Sequence, residues 1–239
     1  MRKKQFYSFL LATLIISSCT SLNIKSYYFP IHDEGDTKVF KYVNPVEPQF
    51  SEYWEVESDP YENSIITHSY NYDFTKYNTF YEQFDSDGAK LISYVDYEKA
   101  NDGSWKEIKA ETVTDDVFKW ERKNSYNFSV KYVNKFGRFE LTKTRKDVGF
   151  VTLEIMEEEI NAIKFVDYYY VNAIDQNDKY QFQQISYYSD GIGMVKYERY
   201  IPNSGVRELV LTEIMDKSKF AREKRKFLDE EKKKNRTQD

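Results

Sequence analysis

Reactive side chains are scarce in this 239-residue chain: one cysteine, Cys19, and two histidines, His32 and His68. No H-E-x-x-H, C-x-x-C or other paired metal spacing occurs, so no zinc site is expected. His68, beside Thr67 in an extended stretch, reads as an ordinary surface or core residue. Asp85-Ser86-Asp87-Gly88 has the front of a calcium loop, but the spaced third ligand and the distant Glu are missing. It reads as a turn, as does Asp175-Gln176-Asn177-Asp178. There is no G-x-S-x-G elbow, phosphate-cradling glycine loop or dinucleotide fingerprint. Carboxylates are many, but abundance does not place two of them across a scissile bond. The expectation is a chain that is not an enzyme and carries no metal or cofactor.

Cys19 is the one residue whose surroundings specify a chemistry. Arg2, Lys3 and Lys4 are followed by an apolar run from Phe6 to Ile16, and then by Ser17 and Ser18. A charged start, an apolar run and small residues are the order of a secretory signal peptide. The run is about half the roughly 20 residues a membrane-spanning helix needs. Ile16-Ser17-Ser18-Cys19 resembles the bacterial lipobox. That resemblance implies cleavage before Cys19, lipidation of its thiol and acylation of the new amino terminus. Several acyl chains hold a protein on a membrane where one does not. Cys19 has no other cysteine to pair with. Thr20 and Ser21 put no acidic residue directly after it, which by the same resemblance implies the outer membrane.

These signals divide the chain into a signal peptide (1–18), a lipidated cysteine and tether (19–26), a β domain (27–215) and a charged C-terminal helix or tail (216–239). Without its leader the chain is long enough to bury one substantial core. The whole sequence carries a formal charge of −5. The segment 216–239 is basic on balance, so the body is strongly acidic. An acidic body with a basic tail excludes the usual nucleic-acid binder.

The elements between these ends read as strands. There are 22 Tyr and 17 Phe but only 8 Gly and 5 Pro, a composition suited to pleated, half-buried surfaces. Tyr126–Val133 puts Phe128, Val130 and Tyr132 on one face, and Arg138–Thr144 answers with Phe139 and Leu141 around an Asn134–Gly137 turn. Thr79–Phe84 and Ala89–Tyr97 form a second hairpin, with Leu91, Ser93, Val95 and Tyr97 expected on one face. Tyr180–Ser189, Gly193–Ile201 and Val206–Ile214 follow between turns. A further turn is expected at Asp147-Val148-Gly149. Thr112–Lys123 reads equally as strand or helix, and so does Met156–Ile163. In the cluster Tyr168-Tyr169-Tyr170, the outer two face away from the middle one if the segment is a strand. Asp216 can cap a helix to about Lys234, with an apolar stripe of Ile214, Ala221 and Leu228 beside Phe220 and Phe227. The fold expected is mainly β: a single curved antiparallel sheet or incomplete barrel of about ten to twelve strands, with a charged C-terminal helix.

Two stretches carry a family resemblance. Tyr28-Phe29-Pro30-Ile31, followed by Gly35 and Phe40-Lys41-Tyr42, resembles the entry of small Gram-negative envelope proteins. Tyr187–Glu198, with Gly191 and Gly193, resembles their aromatic hairpin. Those proteins look like relatives of the LolA/LolB-like lipoprotein carriers. The resemblance implies a curved antiparallel sheet with helices over its concave side and an apolar cavity between. It leads to the expectation of a lipid-anchored envelope protein that binds an apolar or amphiphilic ligand, or a partner protein, without catalysis. A structural subunit of an envelope complex, using the tail helix, and a carbohydrate-binding module, using exposed Tyr and Trp, are the alternatives.

Overall fold

A computed structural model describes residues 22–31, 35–100 and 102–237. Cys19 and His32 lie outside the described residues. Thirteen antiparallel strands follow one another: β1 (Asp36–Val43), β2 (Glu52–Asp59), β3 (Ser64–Asn71), β4 (Lys76–Phe84), β5 (Gly88–Lys99), β6 (Trp105–Lys109), β7 (Glu111–Lys119), β8 (Tyr126–Asn134), β9 (Gly137–Ile155), β10 (Glu158–Ala173), β11 (Asp178–Ser189), β12 (Gly193–Ile201) and β13 (Gly205–Asp216). One helix, α1 (Lys217–Thr237), ends the described chain.

The sheet is mainly an up-and-down meander. Its order is β4-β3-β2-β1-β13-β12-β11-β10-β9-β8-β7-β5-β6, and β4 also pairs with β5. Twelve strands therefore close into a barrel, and β6, paired with β5 alone, is the extra strand with an unpaired edge. β6 and β7 lie end to end along the same side of β5, β6 against Val95–Lys99 and β7 against Gly88–Lys90. The expected mainly β, antiparallel fold of about ten to twelve strands with a C-terminal helix is the one found, with the barrel closed where an open sheet or incomplete barrel was expected. The interior holds a continuous aromatic core, including Phe40, Tyr42, Phe118, Phe128, Phe165 and Tyr197. Among the described residues, one α-helix lies outside the wall where the family resemblance implied helices over a concave face.

The segment 24–31 stoppers one end of this barrel. The Ile24 N–H donates to the Trp120 carbonyl at 2.7 Å, and the Gly191 N–H donates to the Ser26 carbonyl at 2.7 Å. Tyr28 and Phe29 are buried, Tyr28 among Phe84, Phe118 and Tyr188, and Phe29 against Phe40.

Two open readings resolve and two local expectations change. Thr112–Lys123 is strand as far as Lys119. Met156–Ile163 is a tight hairpin, with Met156 and Glu157 at φ 52° and 67° leading into β10. Asp147-Val148-Gly149 does not turn the chain. It is a bulge inside the 19-residue β9, where the pairing with β10 slips between Lys164 and Phe165. A bulge at Ile92 likewise shifts β5 by one residue. Leu91 and Tyr94 point inward, while Tyr97 lies outside with its hydroxyl 3.3 Å from the Thr79 hydroxyl. A one-residue slip sends every later side chain to the other face, which breaks the expected Leu91–Tyr97 face.

α1 begins where expected. Asp216 Oδ1 accepts from the Lys219 N–H at 2.6 Å and the Ser218 hydroxyl at 2.6 Å, an N-cap. Phe220 then packs against Tyr53, Tyr70 and Phe74, and Phe227 against Phe74, on the outer face of the barrel. Ile214, Ala221 and Leu228 stay exposed, so the buried stripe is the Phe220–Phe227 pair alone.

Candidate functional site

Strand parity aims a set of charged side chains into the barrel. Leu141, Lys143 and Arg145 share one face of β9; Phe165, Asp167 and Tyr169 share one face of β10. Register then aligns Arg145 with Asp167, Asp167 with Gln184, and Gln184 with Arg199 across β9, β10, β11 and β12. Four polar residues thus form one row across four neighbouring strands, facing inward where the strands are otherwise apolar.

The row is hydrogen-bonded from end to end. Arg145 grips Asp167 with two parallel bonds, Nε to Oδ1 at 2.7 Å and Nη2 to Oδ2 at 2.9 Å. The Ser186 hydroxyl donates to Asp167 Oδ2 at 2.7 Å, and Lys143 Nζ reaches the same oxygen at 3.3 Å. Gln184 donates to the Ser186 oxygen at 3.0 Å, and Arg199 Nε donates to Gln184 Oε1 at 3.2 Å. Beyond Arg199 stands Glu52, 3.7 Å away, which accepts from the hydroxyls of Tyr77 and Tyr197 at 2.6 Å each and from the Trp54 indole N–H at 3.1 Å. Buried charges persist when they are paired and hydrogen-bonded, and this network supplies both.

Electrostatics follows the geometry. Burial opposes the Asp167 charge, but the Arg145 and Lys143 cations outweigh it and hold the carboxyl well below its usual range. Burial, reinforced by Arg145, pushes Lys143 down. Burial and the Glu52 charge push the Tyr77 and Tyr197 hydroxyls up. Glu82 on β4 differs: no cation lies within ion-pair distance among the described residues, and its hydrogen-bond donor is the Tyr28 hydroxyl at 2.8 Å. Burial lifts its carboxyl to about 7, against the lowering effects of Tyr28, Lys143 and Arg145.

Between these groups lies a cavity of about 260 Å³. Tyr28 and Phe29 bound it at the stoppered end, and Phe80, Tyr94, Phe128, Leu141, Tyr169 and Phe182 line its apolar wall. Glu82, Lys143 and Arg199 bring polar atoms to it. The Tyr169 and Phe182 rings are stacked, with centroids 4.4 Å apart, as register partners on β10 and β11. Lys143 and Arg199 keep 12% and 27% of their side-chain surface although protein surrounds both. Both side chains line the cavity. An apolar chamber with a few convergent polar groups is the usual form of a small-molecule site.

The residues singled out from sequence are elsewhere. His68 Nδ1 lies 2.8 Å from the Thr79 hydroxyl on the outer face, the side opposite the cavity-lining Thr67. Asp85 Oδ1 accepts the backbone N–H groups of Asp87 and Gly88, which makes that motif a turn. Asp175 pairs with Arg138. Of the three tyrosines, Tyr169 lines the cavity and Tyr168 is half exposed on the opposite face. The polar row was not anticipated, although parity could have flagged it: Lys143 and Arg145 continue the Phe139–Leu141 face.

No protein-family model matches the chain, and no curated protein matches it. Two solved structures are similar to it. One is a provisionally named lipoprotein from Parabacteroides distasonis, 12% identical, covering 78% of this chain and 97% of its own, at a TM-score of 0.46. The other is a provisionally named exported protein with a YmcC-like fold from Bacteroides fragilis, 12% identical, covering 79% of this chain and 99% of its own, at a TM-score of 0.45.

Proposed function

We propose that this chain is an envelope lipoprotein, anchored through Cys19, whose barrel interior holds a small amphiphilic ligand without transforming it. The observation that carries the reading is the cavity inside a closed barrel, apolar over most of its wall and polar at Glu82, Lys143 and Arg199. A barrel of ordinary core packing leaves few voids larger than a water molecule. A chamber of about 260 Å³ exceeds the 150 Å³ or so that suffices for benzene in an engineered protein cavity. Lys143 and Arg199 are tied to one another through Asp167, Ser186 and Gln184, an arrangement that fixes a binding geometry, while Glu82 is held by Tyr28.

The anchor belongs to the same reading. Asn23 and Ile24 enter at the stoppered end of the barrel, so a lipidated Cys19 a few residues earlier tethers that end to the membrane. Two measurements test the proposal. Metabolic labelling with a palmitate analogue should mark the wild-type chain and not Cys19→Ala. Native mass spectrometry after gentle extraction should show a co-purifying mass of a few hundred daltons at most. Repeated absence of any bound species would remove the binding role, and an unlabelled wild-type chain would remove the anchor.

A further inference from the structure

The charges around the cavity are uneven in how far their own neighbours satisfy them. Asp167 is saturated by Arg145, Ser186 and Lys143. Glu52 is saturated by Trp54, Tyr77, Tyr197 and the nearby Arg199. Lys143 has one acceptor, an Asp167 oxygen that already takes two shorter bonds, and its ammonium lies 5.3 Å from the centroid of the Tyr169 ring. Glu82 is only 4% accessible, whereas Lys143 and Arg199, which line the same cavity, keep more accessible surface. Among the charged groups of this chamber, the accessible surface is therefore cationic; Thr67, Ser69, Tyr77 and Asn78 add uncharged polar groups beside it.

Resting on the proposed binding role, we infer that the cavity takes a small carboxylic acid with an apolar tail, its carboxylate on Lys143 with Arg199 lining the same chamber and its tail among Phe80, Tyr94, Phe128 and Leu141. An anion supplies Lys143 with the acceptor that Asp167 only partly provides, through a charge-assisted hydrogen bond in a water-poor site. The volume limits the guest. If about 150 Å³ holds benzene, about 260 Å³ holds roughly ten heavy atoms, the size of octanoate. A cationic amphiphile would meet Lys143 and Arg199 at the same place and be repelled.

The test is calorimetry on the acylated protein in phospholipid nanodiscs, with empty nanodiscs as the blank. The probes are octanoate, 1-octanol and octylammonium at pH 7. Octanoate should bind at least tenfold more tightly than 1-octanol, and octylammonium most weakly. Lys143→Met should bring octanoate down to the level of octanol, and Lys143→Arg should stay within about threefold of wild type. Methyl NMR should place octanoate by shifts at Leu141. Equal binding of octanoate and octanol, or a preference for octylammonium, overturns the inferred carboxylate while leaving an amphiphile cavity intact. Shifts elsewhere with Leu141 unmoved, or no binding by any of the three, overturn the inference and the cavity reading together.

Discussion

The Phe29 ring lies against the α-carbon of Gly193: a Cβ built there would stand 2.6 Å from Phe29 Cδ1. The two residues are far apart in sequence, one in the stopper and one at the start of β12, and each explains the other. Only glycine leaves room for the ring, and only the ring makes that glycine sterically obligatory beyond its φ of 98°.

Gly193→Ala should therefore cost about 2–4 kcal/mol in urea unfolding, combining backbone strain with overpacking. Gly205 is the control: its φ is 80°, but no atom lies within 4 Å of a built Cβ. Gly205→Ala should cost only the strain, about 1 kcal/mol. In a double-mutant cycle, Phe29→Ala should be milder in the Gly193→Ala background than alone, because the clash disappears with the ring. Additive effects would show that the stopper does not rest on β12.

Glu82 gives stability an unusual slope with pH. Its folded carboxyl titrates near 7, above its ordinary value of 4.5. Between those two pH values the folded state holds a proton that the unfolded chain has released, so stability falls as pH rises through that window and levels off above it. A shift of that size corresponds to roughly 3 kcal/mol at most. Glu82→Gln should remove this part of the slope while leaving the fold at pH 5 nearly unchanged. Asp167 acts with the opposite sign. Its folded carboxyl is depressed, so the stability it contributes is present above the usual Asp range and is lost in stronger acid. Thermal unfolding from pH 4 to pH 8 for wild type and Glu82→Gln measures the Glu82 limb; the Asp167 limb lies at lower pH. An unchanged slope in the variant would show that Glu82 is ionised in a more polar setting than the barrel provides.

How much of this was legible in the sequence depended on distance along the chain. The β8–β9 hairpin and the Asp216 cap were readable because their determinants lie within a few residues of one another. Barrel closure was not, because it rests on β4 meeting β5 with the β5–β6–β7 line on its other side, a matter of curvature accumulated over all the strands. The bulges at Ile92 and Val148 carry no clear local signature, yet each shifts the strand register by one residue. The polar row shows the same limit. Arg145, Asp167, Gln184 and Arg199 sit on four strands and meet only through register. Parity alone would have marked Lys143, Arg145 and Asp167 as polar residues on apolar faces, which is a sign of a buried pair or a site. It could not have said that they share one network.

Breaking that network should be severe. Asp167→Asn removes the charge that Arg145 and Lys143 both use and leaves two buried cations unmatched. The expected loss is about 3–5 kcal/mol, the range for removing one partner of a buried ion pair. Lys143→Met in the same background should recover part of it, since one of the unmatched cations is then gone. The coupling between the two sites, read from denaturant midpoints of the four proteins, should be well above 0.5 kcal/mol. Independent effects would mean that Lys143 is neutralised by something other than Asp167.

The tail separates two roles for its helix. Phe220 is 5% accessible and sits among Tyr53, Tyr70 and Phe74, while Leu228 is 43% accessible. If α1 serves to cover the outer wall of β2 and β3, Phe220→Ala should cost about 3–5 kcal/mol, as for other buried aromatic truncations. Leu228→Ala should change stability by less than about 0.5 kcal/mol. Asp216→Ala should cost about 1 kcal/mol through the lost cap. If α1 were held mainly by a partner, the isolated protein would tolerate Phe220→Ala and release the helix readily. Hydrogen exchange distinguishes the cases. Amides of α1 from Ala221 to Lys226 should exchange slowly in the isolated wild-type protein and rapidly in Phe220→Ala, with the barrel amides of β9 and β10 unchanged. That pattern fits because the two elements bury separate apolar clusters, Phe220 with Tyr53, Tyr70 and Phe74 outside and the Phe118–Phe165 group within. Loosening the helix should thus leave the barrel interior intact.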